Sequence, residues 1–561
     1  MWALQVAALP DNVTAVTWPQ RVDELAAIHP AAIALSTTAR GGETLRWEDL
    51  AEASRRTAAG LLGLGVRPGD VVCVELPSRA AHVVCAHAAW RAGATVLPLR
   101  PDLPERERER ILAAARPAVV IVDRPPAAAG EVTVDDLVPA AAAAAGAESP
   151  GGGAGGTGSE PPPAARPAWL IASGGSTGEP KLIASSQAAV LQSGGGPGTG
   201  RGGLLLGTGD HRHPVNLICS PLYHTQGFAL LHHTLLADYR NIVMERFDPE
   251  QLLDLVETER VAFLALVPTM LIRLLRTPGL RERDLSSLER VVQGAGACPH
   301  WVIRAWIDLV GPERFVMGYG SSEGVCSTQI RGDEWLAHPG SVGRPLGTEV
   351  LVVGDDGAEL PRGEVGELFF RPAGGAHTVR YVGRAEPRTR PGGYLSIGDL
   401  GSLDDEGYLY IADRRTDMIV SGGANVYVSE VEAVLLMHPA VADAAVVGLR
   451  DADWGRRVHG IVQLAPGLSR EEFLESVRDY CKEHIAAYKV PRTFEIVDDL
   501  GRSESGKLNR RSLAEVREPG PQTEGAQATE SAREGDVGVQ PRRDDGRSPV
   551  QSLVEPPEPA V

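Results

Sequence analysis

Residues 173–181, Ser173-Gly174-Gly175-Ser176-Thr177-Gly178-Glu179-Pro180-Lys181, come just after the apolar run Trp169-Leu170-Ile171. A strand that ends in small and hydroxyl residues offers open backbone N–H groups and hydroxyls to an anion. Lys181 adds a point charge. These are the means of holding a polyphosphate. The segment is not a Walker A loop: the G-x-x-x-x-G-K-[ST] spacing fails, Pro180 precedes the lysine and Leu182 follows it. A solvated Gly/Ser turn has the same composition, so the flanking sequence has to decide.

On the N-terminal side, residues 31–125 alternate between helical and strand patterns. Leu50, Ala53, Thr57, Leu61 and Leu64 fall near one helical face. Short apolar runs at Val71–Leu76, Ala94–Leu99 and Ala118–Val122 read as strands buried on both faces of an α/β sheet. The alternation returns after residue 215. Asp248-Pro249 is a helix start, with the aspartate as N-cap, and Leu252, Leu253 and Val256 give that helix its apolar face. Val261–Val267 then reads as a strand. Residues 139–167 hold an Ala run, a Gly tract and Pro161–Pro163, and read as a low-complexity loop. Ser193–Gly203 is a second Gly-rich stretch.

Between Asp413 and Val516 lies a compact α+β unit. Glu430–Met437 is helical, Asp443–Val447 and His459–Leu464 are strands, and Ser469-x-x-Glu472 is a capping box for a helix with Phe473, Val477 and Cys481 inward. Residues 516–561 have no aromatic residue and are rich in Glu, Pro, Gly and Gln, a composition that cannot offset ordering entropy. The expected organisation is therefore residues 1–413, residues 414–515 and a disordered tail, 516–561.

Composition excludes several classes. The 561 residues carry 55 Lys and Arg against 73 Asp and Glu, a net charge of −18. That argues against bulk electrostatic binding to nucleic acid or to an acidic membrane face. The six cysteines are scattered with no C-x-x-C pair, so neither a disulfide framework nor a structural zinc site is indicated. No apolar run is long enough to span a bilayer, and the start is a poor signal peptide, so the expected setting is cytoplasmic. His211, His213, His232 and His233 invite a metal reading, but no carboxylate or Cys pattern accompanies them, and surface or core roles are preferred.

Four further segments carry chemistry. Gly320-Ser321-Ser322-Glu323-Gly324 fits the G-x-S-x-G elbow of hydrolases, yet also places a carboxylate beside a hydroxyl, after an aromatic Tyr319. Asp399, after the strand-like Tyr394–Ile397, can accept both hydroxyls of a ribose or can be a plain turn residue. Asp413-Arg414-Arg415-Thr416-Asp417 precedes the Gly-rich Ser421–Asn425 and reads as a hinge or a simple linker. Lys507, on the loop Ser503–Leu508, reads by itself as a solvated surface lysine rather than a catalytic one.

In this order the segments resemble the adenylate-forming superfamily, which includes acyl- and aryl-CoA synthetases, luciferase and peptide-synthetase adenylation domains. The resemblance spans about residues 20–515. Residues 173–181 resemble S-G-x-T-G-x-P-K. Gly294-Ala295-Gly296-Ala297 resembles the adenine-side G-x-A segment, and Tyr319 to Glu323 resembles Y-G-x-T-E, with Ser322 for the usual Thr. Ser396 to Leu400 resembles T-G-D-L. Asp413-Arg414, Tyr488-Lys489-Val490-Pro491 and Gly506-Lys507 resemble the hinge and lid segments. Pro221–His224, Arg246–Asp248 and Arg371–Gly375 look most like bacterial fatty-acid or bile-acid CoA ligases, whereas the Ser173–Gly178 wording also occurs in aryl-acid adenylating enzymes.

The resemblance implies an α/β fold: a large multi-subdomain N-terminal domain with sheets flanked by helices, plus a small mobile α+β C-terminal lid. It implies an AMP-forming acid–thiol ligase that uses ATP, Mg²⁺ and CoA on a small carboxylic acid, as a monomer or homodimer. Ser173, Ser176, Thr177, Gly178 and Lys181 would hold the β- and γ-phosphates. Gly294, Ala295, Gly296, Tyr319 and Gly320 would line the adenine side. Glu323 would help hold Mg²⁺, and Ser322 would touch the α-phosphate. Asp399 and Arg414 would grip the ribose. Lys507 would bridge carboxylate and α-phosphate. His224 would face the acyl pocket, with Phe228, Val292, Gly294, Gly318, Gly320 and Val325 as walls. Rotation of the lid would then remove Lys507 and bring Gly423 to the pantetheine tunnel. Thr416 replaces the usual Asp or Lys after the hinge, and Val428 replaces the usual Pro after Tyr427. These departures leave open another acceptor or oxyacid: a carrier protein, an amine, or nitrite activated towards an arylamine. Rivals from other classes are a serine hydrolase using Ser322 and a non-catalytic nucleotide-binding regulator.

Overall fold

Val71–Glu75, Thr95–Pro98 and Val119–Val122 are short, β-branched and buried, and they pair in parallel with one another and with Glu131–Thr133. A second, nine-stranded sheet runs in the order Arg344–Pro345, Thr328–Arg331, Phe315–Met317, Arg290–Gln293, Val261–Leu266, Val215–Ile218, Arg240–Val243, Ile33–Thr37, Thr44–Arg46. From Phe315–Met317 to Ile33–Thr37 every pairing is parallel. Parallel strands need crossover helices on both faces, and this explains why the strands read as continuous apolar runs. The computed structural model describes residues 15–39, 41–137, 167–173, 181–185, 190–192, 213–372, 380–382, 387–467, 469–503 and 506–518. The expected Gly-rich loops, apart from Pro167, and the tail beyond Glu518 lie outside these residues.

The helices follow their local signals. Asp248 accepts the Gln251 N–H at 2.8 Å and opens Pro249–Thr258, whose Leu252, Leu253 and Val256 are buried. Trp47–Gly63 buries Leu50, Thr57 and Leu61, but also Ala51, Ser54 and Ala58, so its inward face is broader than expected. Leu64, one residue past that helix, is exposed.

Over residues 348–414 the chain pairs antiparallel. A six-stranded sheet joins Thr348–Val353, Gly366–Pro372, Arg388–Arg390, Tyr394–Ser396, Asp399–Leu403 and Leu409–Arg414. A separate three-stranded sheet pairs Leu170–Ser173, Lys181–Ala184 and Arg380–Val382, with Ser173 directly opposite Lys181.

The small C-terminal part is α+β, as expected. Val441–Asp451, Gly455–Leu464 and Thr493–Ile496 form its sheet, covered by Val428–Met437 and Arg470–His484. Ser469 caps the second helix by accepting the Glu472 N–H, while its hydroxyl donates to Glu471. The cap therefore uses one half of the expected box. Order continues past residue 515: Arg517 bonds Glu495, and Glu518 accepts the Arg450 N–H. The tail boundary expected at 516 thus lies about three residues early. All six cysteines are unpaired thiols. Among the described residues no helix is long and apolar enough to cross a membrane.

Candidate functional site

The motif residues gather where parallel strands end. His224 follows Val215–Ile218, Gly294 follows Arg290–Gln293, and Tyr319 follows Phe315–Met317, all on the carboxyl side of neighbouring strands. Open α/β sheets bind ligands at that edge. Gly294, Ala295 and Gly296 form a loop at this edge, in which the Gln293 side chain donates to the Gly296 carbonyl at 2.9 Å. Ala295 and Gly296 are exposed, and Ala295 has φ 68°, which turns the chain sharply there.

Asp399 is buried at the start of its strand, and its strand partner is Arg414. The Tyr319 hydroxyl donates to Asp399 Oδ2, and Arg414 Nε lies 3.5 Å from Oδ1. Burial holds the Asp399 carboxyl above its usual range, against the pull of Arg414 and Tyr319. The Tyr319 ring stacks on Phe370 at 6.2 Å. Sequence-distant Tyr319, Asp399 and Arg414 thus form one unit.

Glu323 sits in the turn after Tyr319. Its Oε1 accepts the Tyr381 hydroxyl at 2.9 Å. No other hydrogen bond or ion pair engages Glu323 among the described residues, so a carboxylate oxygen remains for a hard divalent cation, which favours such donors. That chemistry fits magnesium. Tyr381 stands on the strand beside Lys181–Ala184, and Lys181 Nζ lies 5.7 Å from its ring centroid. Burial first, then Glu323, raises the Tyr381 phenol above its usual range. Tyr381 thereby ties the carboxylate to the expected phosphate lysine. Ser173 and Lys181 are backbone neighbours across the hairpin whose connecting residues include Ser176, Thr177 and Gly178, and these three lie outside the described residues.

Ser322 Oγ is 3.0 Å from Thr225 Oγ1. Thr225 is the first residue of the helix Thr225–Leu236, and His224 is its N-cap. The His224 imidazole is pushed down to about 3, by burial first and then by Lys507 and Arg100. It is therefore neutral at ordinary pH. Lys507 approaches from the lid. Its side chain is open to the cleft but ringed by protein, and desolvation, then Arg414, lowers its amine pKa against the pull of Glu323. Gly506, with φ 76°, packs so tightly that an added Cβ would lie 2.6 Å from Thr269 Oγ1. Arg276 donates to the carbonyls of Val441 and Ala442 at 2.9 and 2.6 Å and fastens the lid in this position.

Some expected residues lie elsewhere. Phe228 is fully buried in an aromatic core with Trp90, Trp169 and His232, so it does not wall the cleft. Four residues after His224, it lies on the inward helix face. Val292 and Val325 are likewise buried in separate cores, whereas Gly318 and Gly320 stay half-buried beside Tyr319. Gly423 shares with Gly422 the tip of the hairpin Ile419–Ser421/Ala424–Val426; both have positive φ, as such two-residue turns require. Gly423 is exposed, and no heavy atom would lie within 4 Å of an added Cβ. No contact joins it to the Glu323–Lys507 group among the described residues. The hydrolase elbow also fails. Residues 318–327 lead from one strand to another, not from strand to helix, and Ser322 pairs with Thr225. Thr225, Arg100 and Tyr381 were not foreseen. Thr225 adjoins a motif residue and could have been; Tyr381 carries no local signal.

Residues 22–378 match the model of the AMP-binding enzyme family, and residues 430–507 match the AMP-binding enzyme C-terminal domain. The chain is 30% identical over 502 residues to the 2-succinylbenzoate–CoA ligase of Geobacillus kaustophilus, covering 89% of this chain and 97% of that protein. Among solved structures it is similar to o-succinylbenzoate CoA synthetase from Bacillus subtilis in complex with the acyl-adenylate intermediate OSB-AMP. That likeness has a TM-score of 0.70 and 27% identity, over 92% of this chain and 100% of that one. The same Bacillus subtilis enzyme in complex with ATP and magnesium ion matches at TM-score 0.69 and 27% identity, over 89% and 100% of the two chains. The chain belongs to the AMP-binding enzyme family, the adenylate-forming superfamily of acyl-CoA synthetases.

Proposed function

We propose that this enzyme activates a compact aryl or polar carboxylic acid, with the residues gathered around Lys507 performing the first half-reaction. It is an AMP-forming acid–thiol ligase: the carboxylate attacks the α-phosphorus of ATP, pyrophosphate leaves, and the acyl group of the adenylate passes to the thiol of CoA. The first step brings an anion to a polyanion, so charge neutralisation dominates its barrier. When bound, magnesium would be held by Glu323 and would supply part of that neutralisation. Lys507 supplies the rest, positioned between carboxylate and α-phosphate. Desolvation lowers its amine pKa from the usual lysine range, against the pull of Glu323. Ser322, oriented by Thr225, donates to the α-phosphate. Asp399 and Arg414, with Tyr319 behind them, hold the ribose, and the hairpin from Ser173 to Lys181 holds the terminal phosphates.

The single observation that carries the acid assignment is the polar group at the start of the helix Thr225–Leu236: the His224 imidazole at its N-cap and the Thr225–Ser322 hydroxyl pair. The apolar residues expected as walls of the acyl pocket, Phe228, Val292 and Val325, are buried in cores. The relatives that act on 2-succinylbenzoate support a compact acid bearing a second polar group. For the second half-reaction the lid withdraws Lys507 and presents the Gly422–Gly423 turn, an alternation that the modest lid contacts at Arg276 permit.

The test is a mass-spectrometric screen of acids with ATP, Mg²⁺ and CoA. Acid-dependent AMP and acyl-CoA should appear with aryl or short polar acids and stay near background with long-chain fatty acids. Efficient use of palmitate would overturn the acid assignment. AMP release that needs an amine in place of CoA would overturn the acceptor.

A further inference from the structure

At the opposite end of the nine-stranded sheet, three residues distant in sequence converge. His213 and Asp238 each stand two residues before Val215 and Arg240, which begin adjacent parallel strands and are paired. His29 is the C-cap of the helix Trp18–Ile28. Asp238 Oδ2 lies 3.2 Å from His213 Nδ1 and 3.7 Å from His29 Nε2. All three donor atoms lie within 4.8 Å of one another. A tetrahedral ion with bonds of about 2.0–2.1 Å needs donors about 3.3 Å apart, so small side-chain adjustments complete the set. The two imidazole rings meet nearly at right angles, 86°, with centroids 4.6 Å apart, edge to face.

One observation beyond the convergence itself points to a ligand there. Asp238 Oδ1 is buried and has no hydrogen-bond partner among the described residues, an expensive state for a carboxylate oxygen. Asp238, with φ 66°, is the left-handed residue that ends the helix Thr225–Leu236, and His213 holds φ 60° ahead of its strand, so both are fixed by the turns that carry them. The three side chains are half-buried, which leaves coordination positions for water.

We propose that His29, His213 and Asp238 bind a divalent transition-metal ion of the zinc type. Two imidazoles and one carboxylate suit zinc, cobalt or nickel, whereas magnesium prefers oxygen donors alone. The site lies at the amino ends of strands whose carboxyl ends carry His224 and the catalytic cleft. It is therefore separate from the magnesium position at Glu323. Its role is a clasp that fastens the end of the helix Trp18–Ile28 to two strand starts.

The test uses tag-free, chelator-treated full-length enzyme in excess Mg²⁺. Calorimetric titration with zinc chloride should show one equivalent bound, and cobalt(II) should give the intense visible bands of a low-coordinate site. His213→Ala and Asp238→Asn should each weaken zinc binding at least about tenfold and abolish the zinc-dependent rise in melting temperature. Pyrophosphate exchange in both variants should match wild type, showing that they fold. Absence of zinc uptake in excess Mg²⁺, or uptake unchanged in both variants, overturns the proposal.

Discussion

The Tyr381 hydroxyl donates a 2.9 Å hydrogen bond to Glu323 Oε1, and its ring lies beneath the Lys181 ammonium. One side chain thus aligns the carboxylate expected at magnesium with the lysine expected at the phosphates. A hydrogen bond to a charged group contributes about 1.5–3 kcal/mol. Tyr381→Phe removes that bond and keeps the ring. It should lower kcat/KM for MgATP about 10- to 100-fold and raise the magnesium concentration needed for half-maximal rate. Pyrophosphate exchange measured across a magnesium series checks both effects. An unchanged magnesium requirement would remove Tyr381 from this role.

Lys507, on the lid, interacts electrostatically with Glu323, Arg414 and His224. Loss of a charged donor aimed at developing charge costs about 10²–10³ in rate. Lys507→Ala should therefore collapse acid-dependent pyrophosphate exchange by at least that much. Thioester formation from supplied acyl-adenylate should persist if Lys507 serves only the first half-reaction, as proposed. Equal loss in both assays would contradict a role confined to adenylation.

The local chemistry was legible in the sequence because it is written in short segments. Asp248-Pro249 opens a helix, and Ser469 caps another, through contacts three residues away. Tyr319, Glu323, Asp399 and Lys507 each stand in a motif that travels with its own turn. The pairings between segments were not legible. Tyr381 and Glu323 are 58 residues apart, Asp399 and Tyr319 are 80 apart, and His29 meets Asp238 only because a helix end lies over two strand starts. Phe228 shows the converse error. Its nearness to His224 in sequence suggested a pocket wall, but helical geometry turned it into the aromatic core.

Arg510 follows Lys507 by one turn of chain and anchors it to the lid. Its guanidinium bonds Glu432 at 2.7 Å and Asp417, in the hinge, at 3.1 Å. Glu432 is buried, and burial raises its pKa against the pull of Arg510. Breaking such a pair from one side strands a buried charge, at a cost of about 3–5 kcal/mol. Arg510→Ala should lower lid stability by that order in a denaturant titration and reduce adenylation about tenfold through misplacement of Lys507. Arg510→Lys should restore only part of either, since a single ammonium cannot span both carboxylates. Full activity in Arg510→Ala would separate this ion pair from Lys507 placement.

The N-terminal domain should be acid-sensitive in a window that its carboxylates do not explain. His82 and His87 are fully buried, with ring nitrogens that find no partner among the described residues, and desolvation pushes each down to about 3. His232, in the same aromatic core, is lowered too, again by burial. A histidine with a depressed folded pKa takes up its proton only on unfolding. Stability is therefore retained above the unfolded value of about 6.5 and lost as pH falls below it, until the folded group itself titrates. At pH 5.5 each such group costs about 1.4 kcal/mol, so His82 and His87 together cost about 3 kcal/mol. Carboxylates held low by their partners release their contribution only below about pH 4.5, so the two effects separate. Urea titrations at pH 7.5 and 5.5 should show this loss, and His87→Leu should flatten the dependence between those two values. A midpoint that does not move over this range would mean that these imidazoles are protonated, or open to water, in the folded chain.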